Sequence, residues 1–247
     1  MSEILSESDG SILTLTLNRP DKQNAINREM YQTMADLLSV ANLDPAISAV
    51  IIQGRGAHFT SGNDITDFLN NPPSGEDSPV AQFLTMIHNF SKPLLAAVSG
   101  NAIGIGTTLL FHCDVVVAAP KSNFAMPFVT LGLVPEAGSS ILFPRLVGYQ
   151  RAIKNLLTGE SFDSTFALEN GIVAEIASDP QIRIREIAQL ISEQPSGAVI
   201  QTKALLKSEL HEKVGAIMKV ESELFSRALL SDEAKDAFMK FLAKKGK

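Results

Sequence analysis

Two regimes of apolar patterning divide the 247-residue chain. Before about residue 180, short apolar runs of strand length alternate with runs of helical period. From Gln181 onward the strand pattern stops, and four helical stretches are predicted, the last from Asp232 to Lys244 with Ser231 as its cap. At the N-terminus, Ile12 to Leu17 alternates apolar and polar and predicts a strand with one buried face. Asp9-Gly10 before it predicts a tight turn from a partner strand at Ile4 to Glu7. Asn27 caps a predicted helix to about Leu43, with Met30, Met34, Leu37 and Leu38 on one face. Ala49 to Gln53, Leu94 to Val98, Asp114 to Ala118 and Val173 to Ile176 read as strands, and Asn123 to Phe128 as short and extended. Val80 to Phe90, Thr107 to Cys113, Ser139 to Leu146 and Gln150 to Leu157 read as helices, with a short one capped by Asp163. Strand–strand–helix units followed by an all-helical tail predict a layered α/β core with a helical appendage.

The stretch Lys92 to Thr108 organises the rest. Its strand ends in Gly100, Gly104 and Gly106 and opens a helix, which aims free backbone N–H groups at whatever lies there. Such a turn binds an anion, stabilises an oxyanion during a reaction, or only lets helix approach sheet. A dinucleotide fingerprint is not supported: Gly104 and Gly106 fill its first two positions, but Leu109 stands at the third. A second turn of this kind, Ser61-Gly62-Asn63-Asp64, precedes a short predicted helix with Asp64 suited to its first turn.

Composition narrows the class. Hydrophobic residues make up 45% and charged residues 19%, as in an ordinary globular protein able to bury about 70–75% of its unfolded surface. A net charge of −6 argues against nucleic acid as partner. No run of about 18 apolar residues predicts a membrane span. The single cysteine, Cys113, sits in an apolar run; it fits core packing and a reducing compartment, so a cytoplasmic protein is expected. No His/Cys/Asp cluster has metal-ligand spacing. His58, His88 and His112 read as isolated, with His112 packed inside an apolar helix.

Four spans carry a resemblance. Asn18-Arg19-Pro20 through Asn24-Ala25-Ile26-Asn27, Phe59 through Ile65, Asn101 through Asp114, and Leu131 through Gly138 together resemble the enoyl-CoA hydratase/isomerase (crotonase) superfamily. The resemblance covers nearly the whole chain and implies a role in fatty acid metabolism. It also implies an α/β, crotonase-like spiral of ββα turns over residues 1–195, and a C-terminal helical oligomerisation region over residues 196–247. A homotrimer or a dimer of trimers is expected. The implied substrate is an acyl-CoA thioester, with no separate cofactor because CoA is part of the substrate. Its oxygen would be held by the N–H groups of Asn63 and Ile105. The CoA portion would lie along Lys22, Ala25, Ser61, Gly62, Asp64 and Ile65. Phe241 and Lys244 match the aromatic and the lysine that family members often supply from a neighbouring subunit.

Hydratases of this superfamily use two glutamates, and this chain has Thr108 and Phe128 where those would stand. Neither side chain does acid–base work at neutral pH. One carboxylate remains, Glu136, in Leu133-Val134-Pro135-Glu136-Ala137-Gly138. Taken by itself it is either a surface acid favoured at a helix N-terminus or an acid/base. The motif resembles that of Δ3,Δ2-enoyl-CoA isomerases with a single catalytic glutamate, and so implies a double-bond shift through a dienolate with Glu136 as proton carrier. Catalysis would need its pKa raised by apolar surroundings such as Phe128, Val129, Leu133 and Val134. Hydration, thioester hydrolysis and non-catalytic acyl-CoA binding are the alternative readings.

Overall fold

The structure is a computed structural model that describes residues 2–73 and 75–245, the side chains of residues 242, 244 and 245 apart. Strands β1 (Ile4–Asp9) and β2 (Ile12–Leu17) form the predicted hairpin, and α1 (Arg28–Leu43) crosses to β3 (Ala49–Gly54). The Asn27 side chain accepts the Met30 N–H at 2.9 Å and caps α1 as its sequence requires. Helices α2 (Ile65–Asn70) and α3 (Pro79–Asn89) lead to β4 (Leu94–Val98), which is followed by β5 (Asn101–Ile103), α4 (Ile105–Thr108) and β6 (Val115–Ala118). Next come β7 (Asn123–Ala125), α5 (Ser139–Val147), α6 (Tyr149–Thr158), β8 (Phe162–Asp163), α7 (Ser164–Glu169) and β9 (Glu175–Ile176). The chain ends in α8 (Pro180–Ser192), α9 (Ser196–Leu229) and α10 (Asp232–Lys245).

A six-stranded sheet runs in the order β1-β2-β3-β4-β6-β9, parallel except for the hairpin. A smaller sheet, β5-β7-β8, lies beside it. This is a mixed α/β architecture with a long helical C-terminal region, as the resemblance implies.

Four expectations are corrected. β2 is buried on both faces, not one: Leu13, Leu15 and Leu17 face the main core, while Ile12 lies under α8 with Ala49, Ile51, Leu95, Ala97, Ile184 and Ala188. A parallel sheet is covered on both sides by its crossover helices, and Thr16, on the α8 side, satisfies its hydroxyl by accepting the Gln53 Nε2–H at 3.1 Å. The helix predicted from Thr107 to Cys113 is instead α4 followed by a 3-10 turn at Leu109–His112. β5 was hidden because only three residues separate Gly100 from Gly104, too few to show a period. The tail, finally, holds three helices among the described residues rather than four. Nothing in the 34 residues of α9 removes a backbone donor, since it contains no proline.

α9 packs on α3 and α5, and α10 returns over the 3-10 turn Phe128–Leu131. Gly132 permits that return: at φ 67° it takes the left-handed region, and a methyl group there would lie 3.0 Å from the Ala234 backbone.

Candidate active site

Both glycine-containing turns meet at the C-terminal ends of β3 and β4. Thr60 joins them: its N–H donates to the Asn101 carbonyl at 2.9 Å, and its carbonyl accepts the Ile103 N–H at 3.1 Å. Its buried hydroxyl donates to the Asn24 carbonyl at 2.7 Å and accepts the Gly62 N–H at 3.0 Å. Gly62 has φ 89°, and a methyl group on it would sit 2.8 Å from the Ile103 carbonyl oxygen, so this close approach demands glycine. Ile26 bridges to this segment by donating to the Gly62 carbonyl and accepting from the Asp64 N–H, which turns the Asn63 N–H away from the bridge. Ile105 is the first residue of α4, where no intrahelical acceptor exists. Among the described residues neither the Asn63 nor the Ile105 N–H donates a hydrogen bond.

A cavity of about 500 Å³ opens beside these turns. Lys22, Ala25, Ser61, Gly62, Asn63, Asp64, Ile65 and Phe241 all line it, so the predicted CoA-contacting residues come together. Ile105 does not; it is fully buried, and its neighbours Ile103 and Gly104 reach the wall. The Lys244 side chain lies outside the described residues. Phe241 lines this cavity from its own chain, where α10 folds back past Gly132. A second, smaller cavity of about 50 Å³ shares Asn63, Phe68 and Phe225 with the first and is lined by Glu136. A third cavity, about 550 Å³, lies at the start of α9, away from these turns. Its Asp114 is already paired with Lys203 at 2.7 Å and Lys207 at 3.2 Å, and it holds none of the candidate residues.

Glu136 is only 7% exposed, which excludes the surface-acid reading. Its carboxylate Oε1 accepts the Thr108 hydroxyl at 2.5 Å. Burial pushes its pKa up to about 8; Glu221 adds to the shift, while the Thr108 hydroxyl opposes it. The two residues after it, Ala137 and Gly138, both have positive φ, 59° and 71°. The Ala137 carbonyl accepts from His112 Nε2 at 2.7 Å, a contact that assigns the proton to that nitrogen. Burial lowers the His112 pKa to about 3 and that of His88 to about 4, so both rings are neutral. They are not isolated, as their sequence positions suggested. His88 stacks on His211 with ring centres 4.3 Å apart and meets the edge of His112 at 5.9 Å.

Sequence reasoning missed Tyr31. Its hydroxyl donates to Asn63 Oδ1 at 2.5 Å, and burial together with the nearby Glu136 raises its pKa well above the ordinary value. In the sequence it is only another apolar-face position of α1. Asp64 has a different occupation: Oδ2 accepts from Arg19 at 3.1 Å, and Oδ1 caps α2. Among the described residues no cluster of three His, Cys, Asp or Glu could hold a metal, and no helix is long and apolar enough to cross a membrane.

The sequence matches the family profile described as Enoyl-CoA hydratase/isomerase over residues 7–247. It is 33% identical to human Enoyl-CoA delta isomerase 2 over 99% of this chain, and spans 64% of that protein's length. It is 30% identical to 2,3-dehydroadipyl-CoA hydratase of Escherichia coli K12, covering 99% of this chain and 97% of the relative. Among solved structures, Pseudomonas aeruginosa OdaA superposes with a TM-score of 0.95 at 41% identity, over 98% of this chain and 99% of that one.

Proposed function

Because the chain belongs to the enoyl-CoA hydratase/isomerase family, whose members act on acyl-CoA substrates, we propose that it shifts a double bond in an enoyl-CoA thioester with Glu136 as the sole proton carrier. One observation carries this reading. Glu136 is the only carboxylate among the described residues lining the small cavity, and that cavity is shared with Asn63. Hydration needs two acid–base groups, and Thr108 and Phe128 supply neither. Thr108 instead donates to Glu136.

The proposed sequence is short. CoA occupies the cavity of about 500 Å³, and the thioester oxygen accepts from the Asn63 and Ile105 N–H groups. Glu136 removes a proton from the α carbon of a 3-enoyl group. The electron pair delocalises onto the thioester oxygen and, through the C3–C4 double bond, onto C4, and the two N–H groups stabilise the dienolate. The protonated Glu136 returns the proton to the γ carbon, leaving the double bond between C2 and C3. Burial suits both halves, since a pKa of about 8 leaves a carboxylate basic enough to take the proton and acidic enough to give it back. The relatives' names support the family and include both isomerases and a hydratase. A homotrimer or dimer of trimers, a cytoplasmic setting and operation without a separate cofactor belong to the same proposal. Exposed Leu205 and Leu206 on α9 support self-association.

The test is to incubate the protein with 3-enoyl-CoA esters and follow the absorbance of the conjugated product. Glu136→Gln is expected to lower turnover by roughly 10²–10⁴-fold while acyl-CoA affinity stays within a few-fold. A 3-hydroxyacyl-CoA product from a 2-enoyl-CoA would make the protein a hydratase. Tight binding with no turnover of any chain length would make it a binder.

A further inference from the structure

Helix α5 begins without a cap of its own. Gly138 holds the N-cap position and has no side chain to accept the free N–H groups of the first turn. The acceptor comes from α9. Glu221 takes the Gly138 N–H on Oε2 at 2.6 Å and the Ser140 N–H on Oε1 at 3.0 Å. Glu221 is 5% exposed, and among the described residues no cation forms a salt bridge with it. A carboxylate buried without a cation is costly, and a helix N-terminus is one of the few protein environments that offsets the cost.

What it holds is the turn bearing Glu136. Two consecutive left-handed residues, Ala137 among them, are a conformation that surrounding contacts must impose. The Ala137–Gly138 peptide is gripped at both ends: His112 donates to its carbonyl, and Glu221 accepts from its N–H. We propose that Glu221 is a positioning residue for Glu136: it keeps the Glu136–Gly138 turn in the form that puts the carboxylate on the small cavity. This rests on the reading of Glu136 as acid/base.

The groups facing Glu136 are few. Thr108 donates to it from α4, Tyr31 stands near from α1, and Glu221 lies beyond the turn on α9. His112 is neutral and reaches only the Ala137 carbonyl. Like charge from Glu221 raises the proton affinity of Glu136, and burial raises that of Glu221 itself, against the pull of the Gly138 and Ser140 donors.

Two variants of the full chain separate the two parts of the role. Glu221→Gln removes the charge. The pH at which kcat/KM reaches half its maximum is expected to fall by about half a unit to one unit, with KM within about twofold. Glu221→Asp keeps the charge but shortens the reach; kcat is expected to drop by about tenfold with that pH unmoved. A merely structural residue would lower Tm in both variants and leave the pH profile where it was, which would overturn the electrostatic half. Parent-like kcat in Glu221→Asp would overturn the holding half even if Glu221→Gln failed to fold. An infrared titration of the protonated carboxyl band, assigned by its loss in Glu136→Gln, reads the same shift without turnover. If the parent isomerises nothing but the band still moves in Glu221→Gln, the catalytic reading fails and the coupling stands. A band that does not move refutes the coupling alone.

Discussion

Replacing Glu136 by Gln should change how stability depends on pH, whatever the reaction. In the unfolded chain Glu136 titrates near its ordinary value of 4.5; in the folded protein burial moves that to about 8. Between these values the folded state retains a proton that the unfolded state has released. Stability therefore falls as pH rises, by about 1.4 kcal/mol per pH unit from this group, and levels off above the folded value at a total near 5 kcal/mol. Glutamine does not titrate, so the variant escapes the loss. The unfolding free energy of Glu136→Gln minus that of the parent should rise by about 3–4 kcal/mol between roughly pH 5 and pH 8. Other titrating groups, Glu221 included, are common to both proteins and cancel to first order. The assay is urea unfolding followed by far-ultraviolet circular dichroism at fixed protein concentration, with both proteins at each pH. A difference constant to within about 0.5 kcal/mol across that window would mean that Glu136 titrates as if in water, and the buried-carboxylate argument would fail with it.

Three further outcomes follow from the same geometry. Thr108→Val removes the hydroxyl that opposes the shift at Glu136, so the alkaline-rising limb of kcat/KM should move upward by about half a unit to one unit, the opposite direction from Glu221→Gln. Tyr31→Phe leaves Asn63 Oδ1 without its donor and should lower kcat about tenfold with little change in KM, measured by steady-state kinetics on a 3-enoyl-CoA. Gly62→Ala forces a methyl group against the Ile103 carbonyl at a positive φ; a loss of about 1–3 kcal/mol in thermal or urea unfolding is expected, with turnover reduced further because Asn63 is displaced.

Much of the frame was legible before any coordinates. Leu94 to Val98 is a run of five apolar residues closed by Ser99-Gly100, and it is β4, in the interior of the sheet. Asn27, Asp163 and Ser231 cap the helices that follow them because their short polar side chains reach N–H groups two or three residues on. The two glycine-containing turns could be placed for the same reason, since a glycine-ended strand running into a helix leaves donors free. Periodicity was less use where elements are short. Three-residue β5 carries no pattern, and β2 was misjudged because alternation reports one face while the second is decided by whether a helix covers it.

The local sequence around Glu136, with proline before it and alanine and glycine after it, determined that an acid would stand at a turn into α5. Whether that acid met water or the protein interior was decided by residues far along the chain: Thr108 from one helix, Tyr31 from another, Phe225 and Glu221 from α9. Caps and strand periods are set by contacts a few residues apart, so the chain displays them in order. A carboxylate's proton affinity depends on the water removed from around it and on charges brought near through space, and those distances exist only once the helices have packed.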